Sequence, residues 1–542
     1  MTTHPETAYA FPRTLSVDDM QDSLAARFGI RTVPLPTERA TYYDTFDRRL
    51  GRKGGALGHR RLDGDNHLCW ENGTLEIEQP TPSKKPPSFA QDLPQGPVRD
   101  VVAPLIKMRR LLPLIELERE RQTLELLDDD EKIVVRLRLE SSRAREPGSA
   151  QPWVDLPSVL RVRPVRGYDP EREALIAMLD AIPDLHAARG GAREVALDAL
   201  GYSTPADPSE LHVELSYNMR ADVGLRRIHG ALLDIMLANE HGLREAVDTE
   251  FLHDFRVAVR RTRALLSEVK HVFPEALVNH YKAEFAWLGG ATNTTRDLDV
   301  FLLHLEDYEA ELEGADLSAL RKTLQKHWSR ERRKLLAELD SPRFATLRDG
   351  WRAFLEDGET GVPVPRKASL PLGEVVSSRI WRVYRKTDQR AGTELDQTGA
   401  PPVEELHRIR LACKKMRYLI DCCRTIFDPH AIADIQKELR RLQNTLGDFN
   451  DAEVQAGQLS EYAAAMVEEG RTDAETLLAM GRLIERIRRS GDQARGKATR
   501  RLARFTNSAN KARFRQLFRV ADPKPREQPP GPPPEQAREA TS

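Results

Sequence analysis

His253-x-x-Arg256-x-x-x-Arg260-Arg261-x-Arg263 recurs as His407-x-x-Arg410-x-x-x-Lys414-Lys415-x-Arg417, at a constant offset of 154 residues. Each copy places a histidine and four cations along a short stretch. Such donors in register suit the binding of a densely charged anion. Arginine can fork onto two oxygens of a phosphate or carboxylate, and lysine acts as a point charge.

Both copies require a helix. At about 100° per residue, His253, Arg256, Arg260 and Arg263 fall within an arc of roughly 80°. Leu252, Phe255, Val259, Thr262 and Leu266 centre about 110° away. The second copy divides the same way, with Leu406, Ile409, Cys413, Met416 and Ile420 as its apolar stripe. Each helix thus carries a ladder with one cation per turn beside a core-facing stripe. Like charges at i, i+4 repel, so acidic neighbours or a polyanion between the ladders must offset them. A basic run on a helix is most often only a solvated face. Duplication of the whole spacing argues against that here.

The repeat extends beyond the motif. At the same offset Ala258 falls on Ala412, Leu265 on Leu419, Phe273 on Phe427, Leu288 on Leu442, Asp297 on Asp451 and Val300 on Val454. The downstream half of the chain is therefore expected to be two similar helical units.

The chain has 542 residues and a formal net charge of −1, so total charge selects no partner. Distribution is more telling. Gly481 to Val520 holds thirteen Lys or Arg against two acids, Glu485 and Asp492. No 18-residue apolar run and no signal-like stretch near Met1 is present, so neither a membrane span nor secretion is expected. Cys69, Cys413, Cys422 and Cys423 lack C-x-x-C spacing and read as reduced thiols of a cytoplasmic protein.

Residues 1–200 mix β-like runs (Ala40–Tyr43, Leu68–Trp70, Thr74–Ile77, Leu114–Leu127, Lys132–Glu140) with turn residues and a Pro-rich loop at Gln79–Pro97. In Lys132–Glu140, Val135, Leu137 and Leu139 alternate with Arg136, Arg138 and Glu140, the period of a two-faced strand. Residues 211–520 follow the 3.6 period. They divide at Asp357–Leu372 into halves of about 211–356 and 373–520. Expected helices include Glu214–Ala238, Thr249–Val272, Pro274–Gly289, Asp297–Glu313 and Leu317–Leu339. The second half is expected to hold Glu374–Arg390, Pro402–Ile426, His430–Leu446, Ala452–Glu468 and Asp473–Phe505. Short connections imply antiparallel bundles. Residues 521–542, rich in Pro, Glu and Gln, are expected to be disordered.

"LHDFRVAVRRTRALL" with "LGGATNTTRDLDV", and "LHRIRLACKKMRYLID" with "LGDFND", resemble the two halves of the CHAD family, named for its histidine-containing α-helical domain. The resemblance spans about 310 residues. It implies two pseudo-symmetric helical bundles whose basic residues bind inorganic polyphosphate in a central groove. His253, Arg256, Arg260, Arg261 and Arg263 would form one wall. His407, Arg410, Lys414, Lys415 and Arg417 would form the other. Leu411, where the family is often basic, and the shorter acid Asp421 depart from the pattern. Asp297, Asp299, Asp451 and Glu453 are expected to cap helices or position the arginines. The two motif histidines, taken alone, read more readily as core or helix-start residues than as ligand donors.

"YYDT" at Tyr42–Thr45, "LGHRR" at Leu57–Arg61 and "KIVVRLRLE" at Lys132–Glu140 resemble the CYTH family of triphosphate tunnel enzymes. That resemblance implies a closed antiparallel barrel, giving a multidomain α+β protein. The acidic Glu-x-Glu-x-Lys strand of active members is replaced by Tyr9-Ala10-Phe11-Pro12-Arg13, and a second acidic strand by Arg161-Val162-Arg163-Pro164. Without paired carboxylates a divalent metal has no oxygen cage. The expectation is a degenerate tunnel with no metal, cofactor or catalytic residues, retaining Arg60, Arg119, Arg121, Lys132, Arg136 and Arg138 as cations.

Polyphosphate fits the ladders better than nucleic acid. Base readers interleave aromatics for stacking, and only Tyr418 stands near either ladder. The leading expectation is a non-catalytic polyphosphate binder associated with polyphosphate granules. The alternatives are a metal-dependent triphosphatase or polyphosphatase in the N-terminal domain, and nucleic-acid binding by the Gly481–Val520 tract.

Overall fold

The computed structural model describes residues 7–12, 24–25, 28–62, 64–72, 75–83, 85–188, 191–202, 211–312, 316–358, 363–398, 401–470 and 472–520. The expected disordered tail and Arg13 lie outside them. Two units separate: Met1–Glu210 with His241–Phe251, and Leu211–Glu240 with Leu252–Ser542.

In the first unit, ten strands form one antiparallel sheet: β1 Thr7–Phe11, β2 Gly29–Asp44, β3 Gly55–Leu62, β4 Asp65–Asn72, β5 Leu75–Pro80, β6 Leu112–Leu127, β7 Ile133–Arg145, β8 Val154–Asp155, β9 Ser158–Pro164 and β10 His186–Ala187. The order is β10-β1-β9-β7-β6-β2-β3-β4-β5, with β8 on β7. The expected β-like runs fall in β2, β4, β5, β6 and β7. The period-2 reading of β7 holds: Val135, Leu137 and Leu139 are buried with Leu124, Leu160, Leu175 and Leu179. Three helices not expected from the sequence cover the sheet, α1 Pro97–Ile106, α2 Asp169–Asp180 and α3 Ala192–Ala199. Pro97 suits a first helical turn because its missing N–H would be unpaired there anyway. Val98, Val102 and Ile106 of α1 then pack on Leu57, Leu68 and Trp70.

The second unit is helical: α4 Ala221–Arg244, α5 Thr249–Glu268, α6 Glu275–Ala291, α7 Asn293–Glu311, α8 Ser318–Leu339, α9 Pro342–Asp357, α10 Leu372–Thr398, α11 Val403–Cys422, α12 Pro429–Glu468, α13 Ala474–Phe505 and α14 Ser508–Phe518. The first few residues of α5 and the last of α4 count with the first unit. Helices α9 and α14 were not expected. Their starts are capped by Ser341, which accepts from Phe344 N, and Asn507, which accepts from Asn510 N. Such caps satisfy N–H groups that a helix start leaves unpaired. The two sequence halves share one core. Leu298, Phe301 and Leu305 of α7 and Leu320 and Leu324 of α8 pack with Leu459 and Met466 of α12 and Met480 and Leu483 of α13. No described helix is long and apolar enough to cross a membrane.

The duplication is not symmetric in backbone. The sequence predicts two helices at His430–Leu446 and Ala452–Glu468, but α12 runs unbroken through Gly447–Asp451. The matching stretch of the first half breaks at Thr292, between α6 and α7. An interior glycine costs a helix only about 1 kcal/mol, so Gly447 does not stop α12. Arg256 is what holds the first-half break open, as its contacts below show.

Candidate functional site

Helices α5 and α11 carry the two ladders, each burying its predicted apolar stripe: Leu252, Phe255, Val259 and Leu266 on one, Leu406, Ile409, Cys413, Met416 and Ile420 on the other. The ladders meet through three cations. Burial pushes the Lys414 ammonium down to about 8, and the like charges of Arg410 and Arg260 add to the shift. Burial also lowers Arg410, against the pull of Asp451, with Arg260 again adding repulsion. Arg260 of the first half is therefore near enough to Arg410 and Lys414 of the second for their like charges to act on one another. Arg417 contributes its field to Lys414 as well.

Acids at duplicated positions border this cluster. Arg410 Nη2 donates to Asp451 Oδ1 at 3.3 Å. Asp297, the equivalent of Asp451, is raised by burial, lowered by Arg256 and raised again by Asp451 itself. The two aspartates thus lie within each other's field. Asp299 is engaged elsewhere, accepting from Trp328 Nε1 at 2.6 Å, and burial pushes its carboxyl up to about 6.

The remaining ladder residues are placed differently. Arg256 is buried and donates to Gly289 O at 3.3 Å, Thr292 Oγ1 at 2.5 Å and Asn293 Oδ1 at 2.8 Å. It clamps the α6–α7 break, with little of its surface left to solvent. Burial pushes its guanidinium down to about 10, and Arg260 adds to that. Lys415 turns to Glu268, Nζ to Oε1 at 2.9 Å, where Arg379 of α10 also donates, at 2.8 Å from Nε. Arg261 lies near Cys422, its field opposing the burial that pushes that thiol up to about 12. Arg417 donates to Asp421 at 3.2 Å and Gln443 Oε1 at 3.1 Å. Its equivalent Arg263 lies over Gly289, the residue matching Gln443; a Cβ there would sit 3.3 Å from Arg263 Nη1. His407 is exposed with Nδ1 3.1 Å from Asn450 Oδ1, and His253 is half-buried. Arg260, Arg410 and Lys414 thus come together, while Arg256, Lys415 and Arg417 bond to other groups and Arg261 lies near Cys422.

In the first unit, β3, β6, β7, β9 and α3 line a cavity of about 670 Å³ with Arg60, Arg119, Arg121, Arg138, Arg161, Arg163 and Arg193. Lys132 instead pairs with Asp130 at 3.0 Å, and Arg136 with Glu125 at 3.3 Å. Four glutamates stand among the arginines, Glu140 of the two-faced strand and three that the sequence reading did not single out, and each is engaged. Glu38, only 3% exposed, receives Arg121 at 2.5 Å, with Arg60 at 3.4 Å and Arg119 at 3.9 Å. Glu71 and Glu76 both bind Arg60, and Glu140 lies 3.6 Å from Arg161. The available signal was the alternation Glu76-Ile77-Glu78 on β5. Ala8 pairs in register with Arg161, so Ala8 and, two residues on, Ala10 present methyl groups to the arginine-bearing face. A divalent cation needs several free oxygens at one point. Here every carboxylate is neutralised by arginine, so the residues present do not fit a metal. Among the described residues no three His, Cys, Asp or Glu form a group able to hold one.

The family model of the CHAD domain matches residues 227–460 and 422–541, together more than half of the chain. The chain belongs to the CHAD family. Uncharacterized proteins from two Mycobacterium tuberculosis strains are 24% identical over 515 residues, 89% of this chain and 93% of each relative. Similar solved structures include the CHAD domain of the plant Ricinus communis, at 22% identity and TM-score 0.42 over 57% of this chain and 96% of that one. Another is a Hippeastrum protein named as an adenylyl cyclase and described by its dominant triphosphatase activity. It is 13% identical, with TM-score 0.26 over 36% of this chain and 95% of that one.

Within the CHAD region, part of the basic tract Gly481–Val520 is spent on its neighbours. Arg482 donates to Leu312 O, Arg495 to Pro401 O, Arg501 to Arg441 O, and Arg486 and Arg504 pair with Glu311 and Glu438. These contacts close the CHAD core around α13. The cations that sequence reasoning passed over are on α10: Arg379, Arg382, Arg385, Lys386 and Arg390. Their spacing on an already expected helix was readable.

Proposed function

We propose that the protein binds inorganic polyphosphate, without cleaving it, where α5 and α11 meet, and that this affinity retains it on polyphosphate granules. The observation that carries this reading is the gathering of Arg260, Arg410 and Lys414 from opposite halves, at a cost in desolvation and repulsion. Grouped cations depressed by one another are stabilised by a polyanion threaded among them. A phosphate chain supplies charge at regular intervals and needs no base-stacking platform. The decisive experiment is titration of purified protein with long-chain polyphosphate across a salt series. Log affinity is expected to fall with log salt by about 0.7–0.9 per contact, by analogy with nucleic acids. Affinity indifferent to salt and chain length would reject the reading.

Lys414 makes the binding pH-dependent. With a pKa of about 8, it is charged below that pH and neutral above it. Its charged fraction falls about tenfold between pH 7 and 9. Binding is expected to weaken by up to about tenfold over that window, with proton uptake on binding near pH 8. Lys414→Arg flattens the profile, because arginine stays charged. An unchanged profile in that variant would show that another group titrates.

A second reading, a triphosphatase in the N-terminal sheet tethered by the helices, rests on the arginine-lined cavity. Its neutralised carboxylates argue against metal-dependent turnover. Tripolyphosphate incubated with Mg²⁺ or Mn²⁺ is expected to release no phosphate above the protein-free control. Sustained release abolished by Arg121→Ala would establish this reading instead.

A further inference from the structure

The positive charge of the second half extends beyond its duplicated helix. Two cavities flank α10. One, of about 370 Å³, lies against α11 and is lined by Arg408 and Lys415. The other, of about 920 Å³, lies against α14 and is lined by Lys511, Arg515 and Arg519. Arg382 and Lys386 line both, so the two are joined along one face of α10. The acids nearby are already engaged: Glu268 by Arg379 and Lys415, Glu405 by Arg390 and Arg408, Asp388 by Lys511. Arg382, Arg385, Lys386, Arg515 and Arg519 are exposed and have no carboxylate partner among the described residues. The helix in the matching place of the first half, α4, carries no Lys or Arg between Arg227 and Arg244. The trough therefore belongs to one half only and did not come with the duplicated motif.

We infer that this trough is an extended binding track for the part of a phosphate chain that outruns the α5–α11 cluster, an inference that rests on the polyphosphate reading above. Five cations without partners along one groove offset the charge of several phosphates. Lys415, which lines the trough, follows Lys414 of the cluster on α11, so track and cluster lie on neighbouring faces of one helix. The lining offers one aromatic ring, Trp381, already stacked on Tyr384 with 6.0 Å between centroids. A strand of bases needs successive stacking surfaces, so a chain of phosphates without bases fits better.

The test uses the full-length protein carrying Arg382→Glu and Arg515→Glu together, both at exposed positions, with the unfolding midpoint checked against the parent. Long-chain polyphosphate is expected to bind about tenfold more weakly. The salt slope should drop by about 1.4, two contacts at about 0.7 each. A short-chain polyphosphate that the α5–α11 cluster holds alone should bind as to the parent. Unchanged long-chain affinity would overturn the track while leaving the polyphosphate reading intact, as would equal weakening of short and long chains. Loss of single-stranded RNA binding with polyphosphate affinity unaltered would overturn it in favour of nucleic acid. If the parent binds no polyphosphate, the underlying reading fails and the track with it.

Discussion

Reversing Arg260 or Lys414 to glutamate is expected to weaken polyphosphate binding about 100-fold near 0.1 M salt, or about 2.7 kcal/mol. Both side chains are half-buried, and neither has an ion-pair partner among the described residues. Each reversal therefore removes a contact and places a like charge beside the polymer where water screens it poorly. Lys415 supplies the contrast. It stands next to Lys414 in sequence but already bonds Glu268 at 2.9 Å. Lys415→Gln should cost less than about threefold. Isothermal titration with long-chain polyphosphate at two salt concentrations reads all three. Equal losses at Lys414 and Lys415 would refute the assignment of the cluster, because a uniform basic face predicts no difference.

The repeat made the helical pair legible before any coordinates. An offset that preserves apolar stripe and charge ladder together fixes which face each helix buries, and α5 and α11 bury those faces. The period of β7 was equally readable, because one side of that strand packs on Leu160, Leu175 and Leu179 while the other carries charge. The failures have definite causes. The family resemblance gave every motif cation one role, but adjacent residues on a helix point about 100° apart. Lys415 and Arg261 consequently leave the face that Lys414 and Arg260 share. Of the glutamates of the sheet cavity, Glu71 and Glu76 face each other across the β4–β5 hairpin, but Glu38 of β2 and Glu140 of β7 come from strands distant in sequence, and only the sheet order brings them in. The α10 trough has no copy in the first half, and a search for repeats passes over it.

The duplicated pair Arg256 and Arg410 should respond to truncation in opposite ways. Arg256→Ala removes three donated hydrogen bonds from a buried guanidinium, at 3.3, 2.5 and 2.8 Å. Bonds from a charged donor are worth about 1.5–3 kcal/mol each. Relief of the buried charge, evident in its lowered pKa of about 10, returns part of that. A net loss of about 3 kcal/mol is expected, because Thr292 Oγ1 and Asn293 Oδ1 at the helix break lose their donor, while the Gly289 carbonyl keeps its bond from Thr292 Oγ1. Arg410→Ala removes one 3.3 Å contact to an exposed aspartate and should cost less than about 1 kcal/mol of stability. Its effect should appear in polyphosphate affinity instead. Urea denaturation followed by far-UV circular dichroism measures the first effect, and titration with polyphosphate the second. Equal destabilisation by the two substitutions would mean that Arg256 is not the clamp. In that case the break at Thr292 would need another cause, such as the adjacent Gly289-Gly290 pair.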